Sequence, residues 1–236
     1  MNVPLPEDYI DIHNHGGSPL PGVFKVENLM AHEGIMPDNR QGIAYTLGIH
    51  PWHITDINAE NQLAFIENHC LHPNVIALGE AGFDKLKGPG LPVQGNMFRA
   101  QVTLSERICK PLFIHCVKAW DELLEARKAT RAKQPWMVHG FHGKPALARQ
   151  LTDKGMYISL WYSFALTSDS DSLLKSLPAD RLFLETDGSD AGIATIYERV
   201  SNALGMNAGQ LVKQIHANYR RLVQPEQAID KPGNNI

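Results

Sequence analysis

Histidines and carboxylates recur along this chain at intervals that could gather metal ions. The first is the run Asp11-Ile-His13-Asn-His15. Side chains alternate along an extended strand, so Asp11, His13 and His15 point to one side. Two imidazoles at that spacing reach a single ion, with Asp11 available behind them as support. In a chain with 11 histidines, that motif alone reads equally well as a half-exposed strand end. The remaining set changes the weighing. Gly79-Glu80, His115, His139 and Glu185-Thr186-Asp187 each close a β-type run. An unpaired ionised group at a buried strand end is costly, so four histidines and two carboxylates converging there are expected to hold two divalent ions. These donors suit zinc or manganese, and the carboxylates also admit magnesium. Two such ions acidify a water and neutralise charge on attacking and leaving oxygens. Asp187 is placed to orient that water or take its proton. No G-x-S-x-G is present, and Cys116, next to His115, is expected to pack rather than react.

The elements that must position these residues are seven β-type runs: Tyr9–His13, Ile43–His50, Val75–Glu80, Pro111–His115, Trp136–His139, Met156–Leu160 and Leu182–Asp187. Between them, apolar residues recur at helical spacing, as in Phe98, Val102, Ser105 and Cys109, or Leu211, Ile215, Tyr219 and Leu222. Strands alternating with helices over short links must be parallel, because parallel neighbours require a crossover. Runs such as VIAL and PLFI suit strands buried on both faces. Every candidate falls at the carboxyl end of a strand, where barrel enzymes build their sites. The 236 residues lie near the ~250 of a (β/α)₈ barrel, and an open doubly wound sheet is the competing architecture. We expect the α/β barrel, as one domain over residues 1–236. The candidate for an eighth strand is Gly22–Glu27. The stretch 16–41 is too short for two ordinary β/α units, so one helix there should be missing or shrunken.

Composition narrows the function. Hydrophobic residues make up 43% and charged residues 20%, ordinary for a globular chain with a sizeable core. Lys and Arg total 22 against 25 Asp and Glu, for a formal charge of −3, which excludes holding polyanions by bulk positive charge. No apolar run approaches the ~18 residues of a membrane span, and the start lacks a basic-then-apolar leader. Three cysteines without C-x-x-C pairing argue against a disulfide framework. These features lead us to expect a cytoplasmic protein with no membrane partner and no obligate protein partner.

The motifs D-I-H-N-H, G-I-H-P, A-L-G-E-A-G-F-D, F-R-A-Q with P-L-F-I-H-C, H-G-F-H-G and L-E-T-D occur in one order from residue 9 to about 225. In that order they resemble the TatD-type metal-dependent hydrolases of the amidohydrolase superfamily. The resemblance implies a distorted TIM barrel, a two-metal site and phosphodiester hydrolysis, with DNA as a substrate for several family members. It also implies roles by position: His13, His15 and Asp187 on one ion, His115 and His139 on the second, and Glu80 bridging. His50 then matches a place in the substrate pocket, Asp84 the family's G-L-D aspartate, and Asn218 a late asparagine.

Several departures bear on substrate. His142 is an extra imidazole where the family has T-G, and either contacts substrate or serves as an ordinary loop residue. Val117-Lys118 replaces R-D, and Gly188-Ser189-Asp190 leads almost directly into a helix where the family has an arginine-containing loop. These losses weaken the DNA reading more than the metal reading. Lys85 and Lys87, in the loop after Glu80, are the better phosphate contacts. The stretch Arg127, Lys128, Arg131 and Lys133 lies at a helix end pointing away from the mouth. Trp52 and Trp161 either stack a base or cap the core. The leading expectation is a phosphodiesterase of the TatD type acting on DNA or a smaller nucleotide. The alternatives are C–N or C–O hydrolysis of a small molecule (amidase, lactonase or deaminase chemistry) by the same constellation, and a non-catalytic metal-binding protein.

Overall fold

A computed structural model describes residues 2–55 and 57–224; the ends of the expected domain, residues 1 and 225–236, lie outside the described residues. Eight strands run β1 (Tyr9–Asn14), β2 (Val23–Met30), β3 (Ile43–Gly48), β4 (Val75–Asp84), β5 (Leu112–Val117), β6 (Trp136–Phe141), β7 (Tyr157–Leu160) and β8 (Leu182–Leu184). Consecutive strands pair in parallel, in the order β1 to β8. β3 and β4 are buried along their whole length, as expected of strands covered on both faces. The last strand returns to the first. Asp187 N–H donates to His13 O at 3.1 Å and Thr186 N–H to the Asp11 carboxylate at 2.9 Å, which nearly closes a TIM-type barrel.

The helices are α1 (Ala59–His69), α2 (Leu91–Ile108), α3 (Trp120–Thr130), α4 (Pro145–Asp153), α5 (Tyr162–Ala165), α6 (Asp171–Ser176), α7 (Ile193–Ala203) and α8 (Ala208–Val223). The periodic faces read from the sequence are buried at Phe98, Val102 and Ser105 on α2 and at Leu211, Ile215, Tyr219 and Leu222 on α8, but Cys109, expected on the α2 face, is instead its exposed, left-handed C-cap. Asn207 opens α8 with a capping box, its side chain accepting from Gln210 N–H. No helix among the described residues is long and apolar enough to cross a membrane.

The stretch 16–41 is shortened more than expected. No helix separates β1 from β2, and only the 3₁₀ turn Ala31–Glu33 separates β2 from β3. The connecting segments are instead tied down by polar contacts: Arg40 donates to Glu27 at 2.9 Å and to Tyr45 Oη at 3.0 Å, and Lys25 to Ser18 O at 3.1 Å. The eighth strand exists where the sequence suggested, but as β2 it extends to Met30. β4 also runs past Glu80 to Asp84, because Ala81 to Asp84 pair with Ile114 to Val117.

Candidate metal centre

β1 delivers His13, with His15 just after its end, β4 delivers Glu80 and Asp84, β5 His115 and β6 His139; His50 follows β3 and Asp187 follows β8. Glu80 is the hub. Its Oε1 lies 2.6 Å from His139 Nε2, 2.9 Å from His115 Nδ1 and 3.2 Å from His50 Nε2. Its Oε2 faces the other half, 3.5 Å from His13 Nε2 and 3.8 Å from His15 Nε2. Asp187 Oδ1 lies 3.3 Å from His15 Nε2 and 3.6 Å from His13 Nε2. Three groups are close enough to surround an ion: His13 with His15 and Asp187, His13 with Glu80 and His139, and His50 with Glu80 and His115. His50 thus stands beside His115 and Glu80.

Electrostatics follow from crowding these groups in a dry site. Burial lowers the His13 imidazole well below its usual range and lowers His50. Burial would also lower His139, but the carboxylates of Glu80 and Glu185 outweigh it and hold His139 well above its ordinary value. Glu80 is held well below the usual carboxylate range: burial raises it, and the His139 charge with hydrogen bonds from His115, His139 and His50 prevails. Asp187 is also lowered, chiefly by His15 acting against burial.

Supporting side chains hold the hub in place. Asn28 accepts from Glu80 N–H at 2.9 Å and from Thr46 Oγ1 at 2.8 Å, and donates to Glu80 Oε2 at 3.2 Å. Asp84 Oδ2 meets His115 Nε2 at 3.1 Å and accepts from Trp52 Nε1 at 2.6 Å, while its Oδ1 accepts from Leu86 and Lys87 N–H. Asp84 therefore fixes the ring of His115. Asp11 makes its hydrogen bonds away from His13. It accepts from the Thr186 hydroxyl at 2.6 Å and from Asn14 at 3.0 Å, locking the end of β8 to β1. Buried Glu185 accepts from Gly140 N–H at 2.7 Å beneath His139.

Other candidates lie apart from the hub. His142 is exposed, 2.9 Å from Gly140 O and packed on Trp161. Lys85 pairs with Glu122 at 2.8 Å, whereas Lys87 lies over the Trp52 ring at 3.7 Å on the rim. Buried Asn218 ties α8 to the amino end of β8 through Ala179 O and Leu182 O. Cys116 is buried, its thiol pushed up to about 12. Asn28 is not among the residues the sequence points to, and Glu185 enters there only within the closing run Glu185-Thr186-Asp187, with no role of its own. The only signal for either was adjacency, Asn28 to the expected strand end at Glu27 and Glu185 to Asp187.

The donor set fits divalent ions. Five imidazoles and two carboxylates converge with no lysine or arginine among them. The Nε2 atoms of His13 and His15 face each other at 3.2 Å, a pairing that one shared cation or proton must bridge, since two bare lone pairs repel. A parallel barrel with polar side chains gathered at its carboxyl end defines the class, the TIM-type barrels. Within it, this chain belongs to the TatD related DNase family, whose model matches residues 29–224.

Among curated relatives, the chain is 33% identical over 147 residues to a protein of Cronobacter turicensis named 3'-5' ssDNA/RNA exonuclease TatD. It is 31% identical over 149 residues to one of Mycobacterium tuberculosis named uncharacterized metal-dependent hydrolase TatD. Each match covers 60% of this chain and 56% of the relative's length. Among solved structures, a TatD homolog from Escherichia coli k12 superposes with a TM-score of 0.75 at 20% identity, covering 93% of this chain and 99% of that one.

Proposed function

We propose that this chain is a divalent-metal-dependent phosphodiesterase acting on nucleic acid or a smaller nucleotide. One observation carries the reading: the two oxygens of Glu80 face opposite halves of the site, three imidazoles on one side and two with Asp187 on the other. That arrangement suits a bridging carboxylate. His13, His15 and Asp187 would hold one ion and His115 and His139 the second, with His50 beside it. The ions, zinc, manganese or magnesium, would supply charge neutralisation at the phosphoryl oxygens and a more acidic water.

The chain's own residues do the rest. Asp187, its side chain 27% exposed and lowered into its ionised form, opens toward the mouth, where it orients the attacking water and accepts its proton. His50 lies against the rim residue Trp52, with ring centroids 4.6 Å apart, and Lys87 adds a positive charge there for a phosphate. The exonuclease names of the relatives support a phosphodiester substrate. A bridging carboxylated lysine, the other solution in amidohydrolases, has no candidate at the hub, which favours phosphodiesters over C–N bonds.

The test joins metal analysis to a substrate panel. The purified chain is expected to hold about two divalent ions and to cleave a chromogenic phosphodiester and single-stranded DNA. Glu80→Gln or Asp187→Asn should each cut that rate by about 10²-fold or more. Cleavage of amides or lactones alone would overturn the proposal.

A further inference from the structure

The end of the barrel opposite the metal centre carries a second, differently built site. A cavity of about 260 Å³ opens there, lined by Arg127, Lys133, Tyr157, Arg181 and Arg221. Lys133 and Arg181 sit just before β6 and β8, Tyr157 begins β7, Arg127 lies in the last turn of α3, and Arg221 near the end of α8. All are therefore at the amino ends of the strands, far from Glu80. Four cations line one small space in a chain whose formal charge is −3. No carboxylate among the described residues forms an ion pair with any of them. Glu106, the acid whose charge reaches Arg127, already has its carboxylate engaged, accepting from Lys133 N–H at 3.0 Å and Gln134 N–H at 2.8 Å.

The guanidinium groups are also held in place. Arg127 lies over the Trp136 ring at 4.7 Å and donates to Gln134 O at 3.1 Å. Arg181 lies over the Tyr157 ring at 4.9 Å, and Arg221 donates to Asn218 Oδ1 at 2.9 Å. Stacking on a ring fixes a guanidinium without using its N–H groups. Each arginine has five such donors, and the recorded contacts leave most of them for a ligand. Like charges gathered in a partly desolvated space repel unless an anion joins them. Fixed, forked donors are the geometry that recognises phosphate by paired hydrogen bonds.

We propose that this basal cavity binds a phosphate-class dianion, either free as orthophosphate or diphosphate or carried as the terminal phosphate of a mononucleotide. It is a ligand site separate from the metal centre and large enough for one or two phosphoryl groups.

The experiment titrates the chelated, full-length chain calorimetrically with diphosphate and, in a second arm, with adenosine monophosphate. Chelation removes metal-held phosphate binding from the signal. One saturable site is expected in at least one arm, and the arm that binds names the source. The double variant Arg181→Gln/Arg221→Gln should weaken it by about tenfold or more. Lys133→Glu places a negative charge in the cavity from an exposed position, so it should weaken binding even if the double variant misfolds. Binding that survives Lys133→Glu unchanged, or absence of saturable binding in both arms, overturns the proposal. So does an affinity confined to single-stranded oligonucleotides, which would make the patch a nucleic-acid contact.

Discussion

Asn28 decides how firmly Glu80 is held, although it offers the metal nothing itself. It accepts from the Glu80 backbone N–H and donates to the Glu80 carboxylate, and the Thr46 hydroxyl fixes its own amide. Truncating it leaves a buried N–H and a buried hydroxyl unpaired and frees the hub carboxylate to rotate. Asn28→Ala is therefore expected to cost about 1–3 kcal/mol in denaturant unfolding and to weaken metal binding by roughly 10- to 100-fold. An affinity loss without a stability loss would mean that Asn28 touches an ion directly; no change in affinity would remove its positioning role. The residues of the candidate site were legible in the sequence because histidine and carboxylate at a buried strand end have no cheaper explanation. Asn28 was not, since a buried asparagine is ordinary wherever its amide is satisfied, and its partners lie 18 and 52 residues away. Glu185 was hidden for a similar reason: its contact is a backbone N–H on β6, which no side-chain pattern records.

At the level of elements, β4 matters most, because one strand carries both the hub and Asp84. Gly79 and Gly82 flank Glu80 at positive φ, and each approaches β5 so closely that a Cβ would collide with a carbonyl oxygen, of Phe113 and His115 respectively. Gly205 has a positive φ too, but open space around it. Gly205→Ala should therefore cost about 1 kcal/mol, the backbone strain alone. Gly82→Ala adds a clash with β5 and is expected to cost about 2–4 kcal/mol and to displace His115. Equal costs in parallel urea titrations would show that β4 and β5 can separate without penalty. The order of strands and the faces of α2 and α8 were readable because burial imposes periods on the chain. The extent of β2 and the loss of helix from both crossovers around 16–41 were not. There the segments are secured by Arg40, Glu27, Lys25 and Tyr45, polar contacts between side chains that no apolar period records.

Taken whole, the molecule gathers its most strongly perturbed histidines at one end, so its stability must depend on pH, and metal should alter that dependence. In the chelated chain, His139 and His15 are raised above their ordinary 6.5. The stability they contribute is complete below 6.5 and is lost as pH rises through their folded values. His13 and His50 are lowered, so their contribution is present above 6.5 and lost as pH falls through theirs. Glu80 and Asp187, also lowered, add a further loss at more acid pH. The chelated chain should therefore be most stable near pH 6.5 and weaken on both sides. Ions demand unprotonated imidazoles, so loading displaces the protons held by His139 and His15 and becomes more favourable as pH rises. Melting chelated and zinc-loaded protein side by side from pH 6 to 9 should show the loaded form gaining on the chelated one throughout that range. A constant difference in Tm would mean that metal binding releases no protons and that the ions sit away from His139. His139→Asn removes one of these protons, and should flatten the alkaline limb of the chelated curve while reducing the gain from zinc.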